Sequence, residues 1–486
     1  MMKELFLDDA GIEAKKGLCR SFHTPEAYRD APIIKAELPW EGNSITPWTV
    51  IYDPLLKKFR MWYQVYYPSG KTGEVLDDAD IPLRDEGYRY GTAYAESEDG
   101  YHFTKPNLGR VSFNGKDTNL AIKGYHSPSP QTCILKLDEP NPLKKYRLWV
   151  WDEAPYPNSH SLIGMSLYTS TDGYDWSGYE WDSSSHQDPQ PYCYIKMMGN
   201  YRYPYNIGPN ECNGIFWDET IHKFVNYCRT SNGSARCIGR IESTDGIHWS
   251  ECVMVAMPDL ADPFMYQFYV SKPYRSGEFI ILHVTTYSPS QGHKIEVEVL
   301  ASRDGYNFTR VGNRKKWIST AEDSWHCGMV FATSPVLYGD KLWIYVSGSH
   351  DTHHAANPSN GIGLYHFRPD GYISLDATEN EGAFTTRKMV WLYDKLEINA
   401  DASSGCIKVE VLPGDKPGNK GENISFDNYH PDPIEGFEKE NCIGLSKDSL
   451  NASIQFKNTS LSSLKGKYVQ LKFYVISAKM YSWEVE

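Results

Sequence analysis

The chain of 486 residues has no basic run, no C-x-x-C pair and no apolar stretch near the roughly 18 residues that span a bilayer. Each absence closes a class of function. With 62 acidic against 49 basic residues and a net charge of −13, a nucleic-acid backbone is not the expected partner. A membrane partner is not expected either. Ten cysteines scattered from Cys19 to Cys442 carry no zinc or redox spacing, and reduced, buried thiols are the expectation at this length. The opening Met1-Met2-Lys3-Glu4-Leu5-Phe6-Leu7 lacks the long apolar core and small-residue cleavage site of a secretion signal. The expected location is the cytoplasm, with a secreted precursor whose signal has been removed as the alternative. The oligomeric state is left open.

Aromatic residues, in contrast, are abundant: 35 Tyr, 14 Trp and 18 Phe. Such rings fill β-sheet cores, and Tyr and Trp also suit a site that stacks on sugar faces.

A repeat sets the fold. Ser-x-Asp-Gly-x-x-aromatic occurs at Ser97–Phe103, Ser170–Trp176, Ser243–Trp249 and Ser302–Phe308, with a degenerate copy, Arg368-Pro369-Asp370-Gly371-Tyr372. The glycines at 100, 173, 246, 305 and 371 are 73, 73, 59 and 66 residues apart, a spacing that leaves room for a four-stranded unit per copy. Asp-Gly between apolar runs marks a tight turn, because Gly accepts positive φ. Before each copy stand an apolar strand, a turn and an aromatic-rich strand, as in Trp48–Pro54 followed by Lys58–Tyr63. Five such units predict an all-β protein, a five-bladed β-propeller followed by a C-terminal β-sandwich. The expected division is residues 1–375, with the N-terminal strand counted in the propeller, and 376–486. In the second part Ile407, Val409 and Val411 alternate, as do Val469, Leu471, Phe473 and Val475.

Strand order puts the Asp-Gly turns on one face and the longer loops on the other, where function usually sits. Carboxylates near the starts of the innermost strands are expected to converge on the axis: Glu41, Glu211, Asp262 and Asp323. Glycoside cleavage needs one protonated carboxyl group to donate to the leaving oxygen and one ionised group as base or nucleophile. Crowding acids in a funnel raises the pKa of one of them. These four are the catalytic candidates. Trp40, Asn43, His126, Asp152, Tyr266, Trp325, His326 and His350 are the candidates for substrate binding. The cluster His350-Asp351-Thr352-His353-His354 matches no metal motif, so neither metal nor cofactor is expected.

The five-unit layout, the Ser-x-Asp-Gly-x-x-Trp turns and the trailing strands resemble the five-bladed glycoside hydrolases related to family 32 (invertase-like) and family 43. The likeness is strongest to a bacterial set labelled family 32-like. It is carried by Leu5-Phe6-Leu7-Asp8-Asp9, Pro39-Trp40-Glu41-Gly42, Arg60-Met61-Trp62-Tyr63, Asp323–Val330 and Leu471–Trp483. It implies a glycosidase acting on an oligosaccharide. Glu211-Cys212 stands where the invertase-like enzymes carry their acid/base Glu followed by Cys. The Asn-Asp-Pro and Arg-Asp-Pro motifs of those enzymes are missing: Glu41 and Asn43 stand in blade one and Ser127-Pro128-Ser129-Pro130 in blade two. A glycoside other than sucrose or fructan, or different catalytic positions, is therefore expected. A phosphorylase on the same scaffold, or a non-catalytic sugar-binding propeller, is the alternative.

Overall fold

The structure is a computed structural model that describes residues 2–68, 88–122, 128–154, 162–178, 214–355, 358–414 and 431–486. Five antiparallel meanders follow one another. Blade one is Ile45–Asp53, Lys58–Pro68, Tyr88–Ser97 and Leu120–Ile122. Blade two is Ser129–Leu135, Tyr146–Ala154 and Leu162–Ser170, the last bridged to Ser177. Blade three is Ile215–Asp218, Lys223–Ser231, Arg236–Ser243 and Val253–Ala256, and blade four is Gln267–Ser276, Phe279–Ser288, Lys294–Ser302 and Thr309–Arg310. In blade five Met329–Ala332 and Val336–Tyr338 pair with Lys341–Ser349, which pairs with Gly361–Phe367. The outermost strand of this blade comes from before blade one: Glu26–Ala27 pairs with Gly361–Phe367. Blade one's inner strand packs on the inner strand of blade two and on Lys341–Ser349 of blade five, which closes the ring.

The repeat motif explains how neighbouring blades lock. In each of the four full copies the Ser hydroxyl accepts the Gly N–H and the Asp carboxylate accepts the next two N–H groups, as at Ser97, Asp99, Tyr101 and His102. Backbone N–H donation from Asn307, with further bonds from its side chain and from Tyr306, holds the Asp304 carboxyl well below its ordinary range. The turn built this way offers a carbonyl, and the preceding blade grips it. Arg60 Nη1 donates to Asp172 O at 2.5 Å, and Trp149 Nε1 to Gly246 O at 3.0 Å. Tyr227 OH and Arg240 Nη1 both donate to Gly305 O at 3.0 Å. Blade four reaches the degenerate fifth turn through Ser276, which donates to the Asp370 carboxylate. Tyr345 OH of blade five donates to Gly100 O at 2.9 Å and completes the cycle. Gly173 stands at φ +74, and a Cβ there would come within 2.4 Å of Arg60 Nη1. Gly173→Ala is therefore expected to cost more than the roughly 1 kcal/mol of an ordinary positive-φ substitution, read as a lower thermal midpoint.

Beyond the ring, a six-stranded and a five-stranded sheet enclose Phe384, Phe473 and Trp483, with Phe384 and Phe473 stacked at 4.6 Å. The first strand, which the sequence reading grouped with the propeller, pairs instead with the last: Met2–Leu5 lies antiparallel to Ala478–Val485. The cause is apolar. Leu5 and Phe6 are almost fully buried, and Phe6 meets Phe384 edge-on at 5.3 Å. Among the described residues, no helix is long and apolar enough to cross a membrane.

Candidate active site

The inner strands run in a common direction. In blades one, two, four and five the residues at the strand start line one axial cavity of about 470 Å³, and those further along line a second of about 460 Å³. The first cavity has two arcs of half-buried rings. Trp48 meets Phe331 at 6.2 Å and Phe331 meets Tyr269 at 6.0 Å, while Tyr66 meets Tyr90 at 5.2 Å and Tyr90 meets Trp151 at 6.3 Å. Amides and hydroxyls fill the gaps: Trp48 Nε1 and the Ser129 hydroxyl both donate to Gln64, and Gln131 donates to Ser129 Oγ at 3.2 Å. Alternating apolar walls and fixed hydrogen-bonding groups suit a polyhydroxylated ring, whose C–H faces stack and whose edges need partners.

Two cations stand against one of the lining rings. The guanidinium carbons of Arg229 and Arg236 each stand 5.0 Å from the Tyr269 ring, and His353 meets the same ring at 5.1 Å. Burial, with the nearby Arg236 charge, pushes His353 down to about 4, so its imidazole is neutral at pH 7. Among the described residues lining this cavity there is no carboxylate.

Lys272 lies at the second cavity with Nζ donating to Trp48 O at 2.7 Å. Burial alone pushes it down to about 7. The unfolded chain then binds more protons than the native chain between pH 7 and the ordinary lysine value near 10.5. Stability from this group is lost as pH falls through 7 and is fully present only above 10.5. Thermal midpoints taken across that window should climb with pH more steeply in the wild type than in Lys272→Met, and parallel curves would exclude the effect.

The structure redistributes the residues named from sequence. Asn43 lines the axial cavity. Glu41 does not: it is fully buried, accepts Tyr63 OH at 2.6 Å and the Glu37 and Leu38 N–H groups, and pairs with Lys105 at 2.8 Å. Its oxygens are spent on the fold, and burial with the facing Glu41 charge drives the Tyr63 phenol well up. Asp262 is likewise withdrawn, accepting Arg310 at 2.7 Å, Arg314 at 2.8 Å and the Asp259 N–H at 2.9 Å. Trp40 is buried with Nε1 on Asn119, and Tyr266 is buried against Glu298 and Lys316. Neither forms a cavity wall. Asp323 is exposed at the entry to blade five, where Trp325 packs over Gly348 and Gly363. His326 is buried on Tyr365 OH at 2.6 Å, and His350 Nδ1 lies 3.1 Å from Cys327 Sγ. None of these four is among the described residues lining the axial cavity. Asp152 is described through its backbone, paired with Gly164, and Glu211 and His126 lie outside the described residues.

Of the lining residues only Asn43 was expected from sequence; Trp48, Gln64, Gln131, Tyr269 and Phe331 are among those that were not. Their signal was available: they stand on inner strands or on the strand next to one, where a side chain reaches the axis.

No family model matches the chain, and no curated protein matches it. Among solved structures it is similar to a glycosyl hydrolase from Bacteroides ovatus, at 16% identity over 72% of this chain and 95% of that one, with a TM-score of 0.47. A structure described under the GH130 mannoside phosphorylases, a family said to contain hydrolases of β-1,2 mannosidic linkages in Candida mannan, aligns at 16% identity over the same shares, with a TM-score of 0.46. A β-1,2-mannobiose phosphorylase from Listeria innocua aligns at 13% identity over 71% and 96%, with a TM-score of 0.44. At such identities and scores these likenesses say nothing of what this chain acts on.

Proposed function

We propose that the chain is a carbohydrate-active enzyme that hydrolyses a glycosidic bond of an oligosaccharide in the first axial cavity. The observation that carries this reading is the cavity wall itself: six half-buried aromatic rings interleaved with Asn43, Gln64, Ser129 and Gln131 on the axis of a rigid ring. Glu41 and Asp262 are committed to ion pairs and Asp323 is exposed and does not line the cavity, which leaves Glu211, among the four carboxylates, as the proton donor. Glu211 precedes the inner strand of blade three, and in the other four blades residues at the inner-strand start line the cavity.

A second reading, phosphorolysis, is favoured by Arg229 and Arg236, which stand against the ring of Tyr269 in the cavity lining. In that reaction a phosphate oxygen attacks the anomeric carbon and one carboxylic acid suffices to protonate the leaving group. Manno-, xylo-, gluco- and galacto-oligosaccharides incubated with and without inorganic phosphate decide between the two. Free reducing sugar without phosphate supports hydrolysis, and a sugar 1-phosphate appearing only with phosphate supports the second reading. Binding without any product would leave a sugar-binding propeller.

A further inference from the structure

A third cavity, about 720 Å³, opens away from the axis. It lies between the blade-five edge formed by Glu26–Ala27 and Gly361–Phe367 and the sheet that carries Tyr481 and Asp448. Its floor is rigid. Arg368 donates to Asn399 at 2.7 Å and to Ser449 O at 2.9 Å, pairs with Asp448 at 2.8 Å and covers the Tyr481 ring at 4.6 Å. His23 is fixed against Ser374 Oγ at 2.7 Å and leans on the same tyrosine.

The rim carries the feature that points to a ligand. Tyr28 is 44% exposed, yet its ring is braced from behind. It meets Tyr101 at 4.5 Å, Tyr101 meets Trp343 at 4.8 Å, and Trp343 meets His366 at 4.6 Å. An exposed ring held by two others, Tyr101 and His366, which Trp343 braces in turn, is a fixed apolar platform, whereas a free surface tyrosine must lose rotamer freedom when it binds. Around it the charged groups are of both signs: Glu26, Asp340 and Lys341 are exposed at the rim. Such a mixture suits neither a simple anion nor a simple cation. It does suit a ligand whose every polar group both donates and accepts, and whose body has a flat C–H face.

We infer that this lateral cavity is an accessory binding site for a neutral oligosaccharide, with one sugar ring stacked on Tyr28 and its hydroxyls bonded to the rim carboxylates and Lys341. The ligand class rests on the carbohydrate-active reading above, while the place rests on this cavity alone. A chain end held here would keep a polymeric substrate near the ring between encounters with the axis.

The test is calorimetric titration of linear β-1,4-linked manno-, xylo-, cello- and galactotetraose into the wild type, Tyr28→Ala, Tyr28→Phe and the axial variant Trp48→Ala. At least one tetraose should keep a binding event in Trp48→Ala, and in the wild-type background that event should weaken by several-fold to about tenfold in Tyr28→Ala and recover in Tyr28→Phe. Tyr28 is on the surface and its loss leaves the ring intact, so the comparison holds in the wild-type background even if Trp48→Ala fails to fold. Isotherms indifferent to Tyr28→Ala, binding abolished equally by Tyr28→Phe, or no bound tetraose would overturn the site. Binding that follows Tyr28 in a protein that turns over no sugar would sink the axial reading and leave this one. Turnover with isotherms blind to Tyr28 would do the reverse.

Discussion

Glu211→Gln should lower turnover by about a hundredfold or more on an oligosaccharide, with the thermal midpoint unchanged. The magnitude is the usual worth of general acid catalysis, about 10²–10⁴. The amide keeps the shape and polarity of the carboxylic acid but has no proton to give to the leaving oxygen. The defect should therefore shrink on an aryl glycoside whose phenol leaves without protonation, which separates lost acid catalysis from lost binding. Glu41→Gln provides the contrast. That carboxylate has Tyr63, Lys105 and two backbone N–H groups as partners, so its loss should appear as a lower thermal midpoint. If Glu211→Gln retains full turnover on the oligosaccharide, the proton comes from elsewhere.

The contrast between these two glutamates also marks how far the sequence could be read. The blades were legible because their signal is local: a Ser, an Asp and a Gly within four residues bond to one another, and the motif repeats. Strand alternation behaves the same way in Val469, Leu471, Phe473 and Val475, all fully buried. Side-chain commitments were not legible, because the partner lies far along the chain. Lys105 stands 64 residues from Glu41, and Arg310 stands 48 from Asp262. Proximity to an inner strand looked identical for Glu41 and Asn43, yet Glu41 turned into the core and Asn43 toward the axis. The outer strand Glu26–Ala27 was invisible for another reason, since two residues carry no periodicity.

The fold's largest single-residue dependence should fall on Arg60. It is fully buried at the seam between blades one and two, donates to Tyr94 OH at 2.7 Å and to Asp172 O at 2.5 Å, and pairs with the equally buried Asp53 at 3.4 Å. Four rings surround its guanidinium: Tyr174 at 4.3 Å, Tyr146 at 5.1 Å, Tyr94 at 5.2 Å and Trp62 at 5.4 Å. Replacing it with methionine of similar length leaves Asp53 as a buried carboxylate without its cation, and breaking a buried pair in this way costs about 3–5 kcal/mol. Arg60→Lys should recover only part of the loss, because one ammonium has neither the flat face that stacks on Tyr174 nor the fork that spans Tyr94 and Asp172. Arg60→Met paired with Asp53→Asn should be milder than Arg60→Met alone, since the stranded charge is then gone. Thermal midpoints of the three variants read the order directly. A wild-type midpoint for Arg60→Met would mean that the second turn is held by its own Ser170 and Asp172 bonds, and that the seam is carried by Trp62 against Trp176.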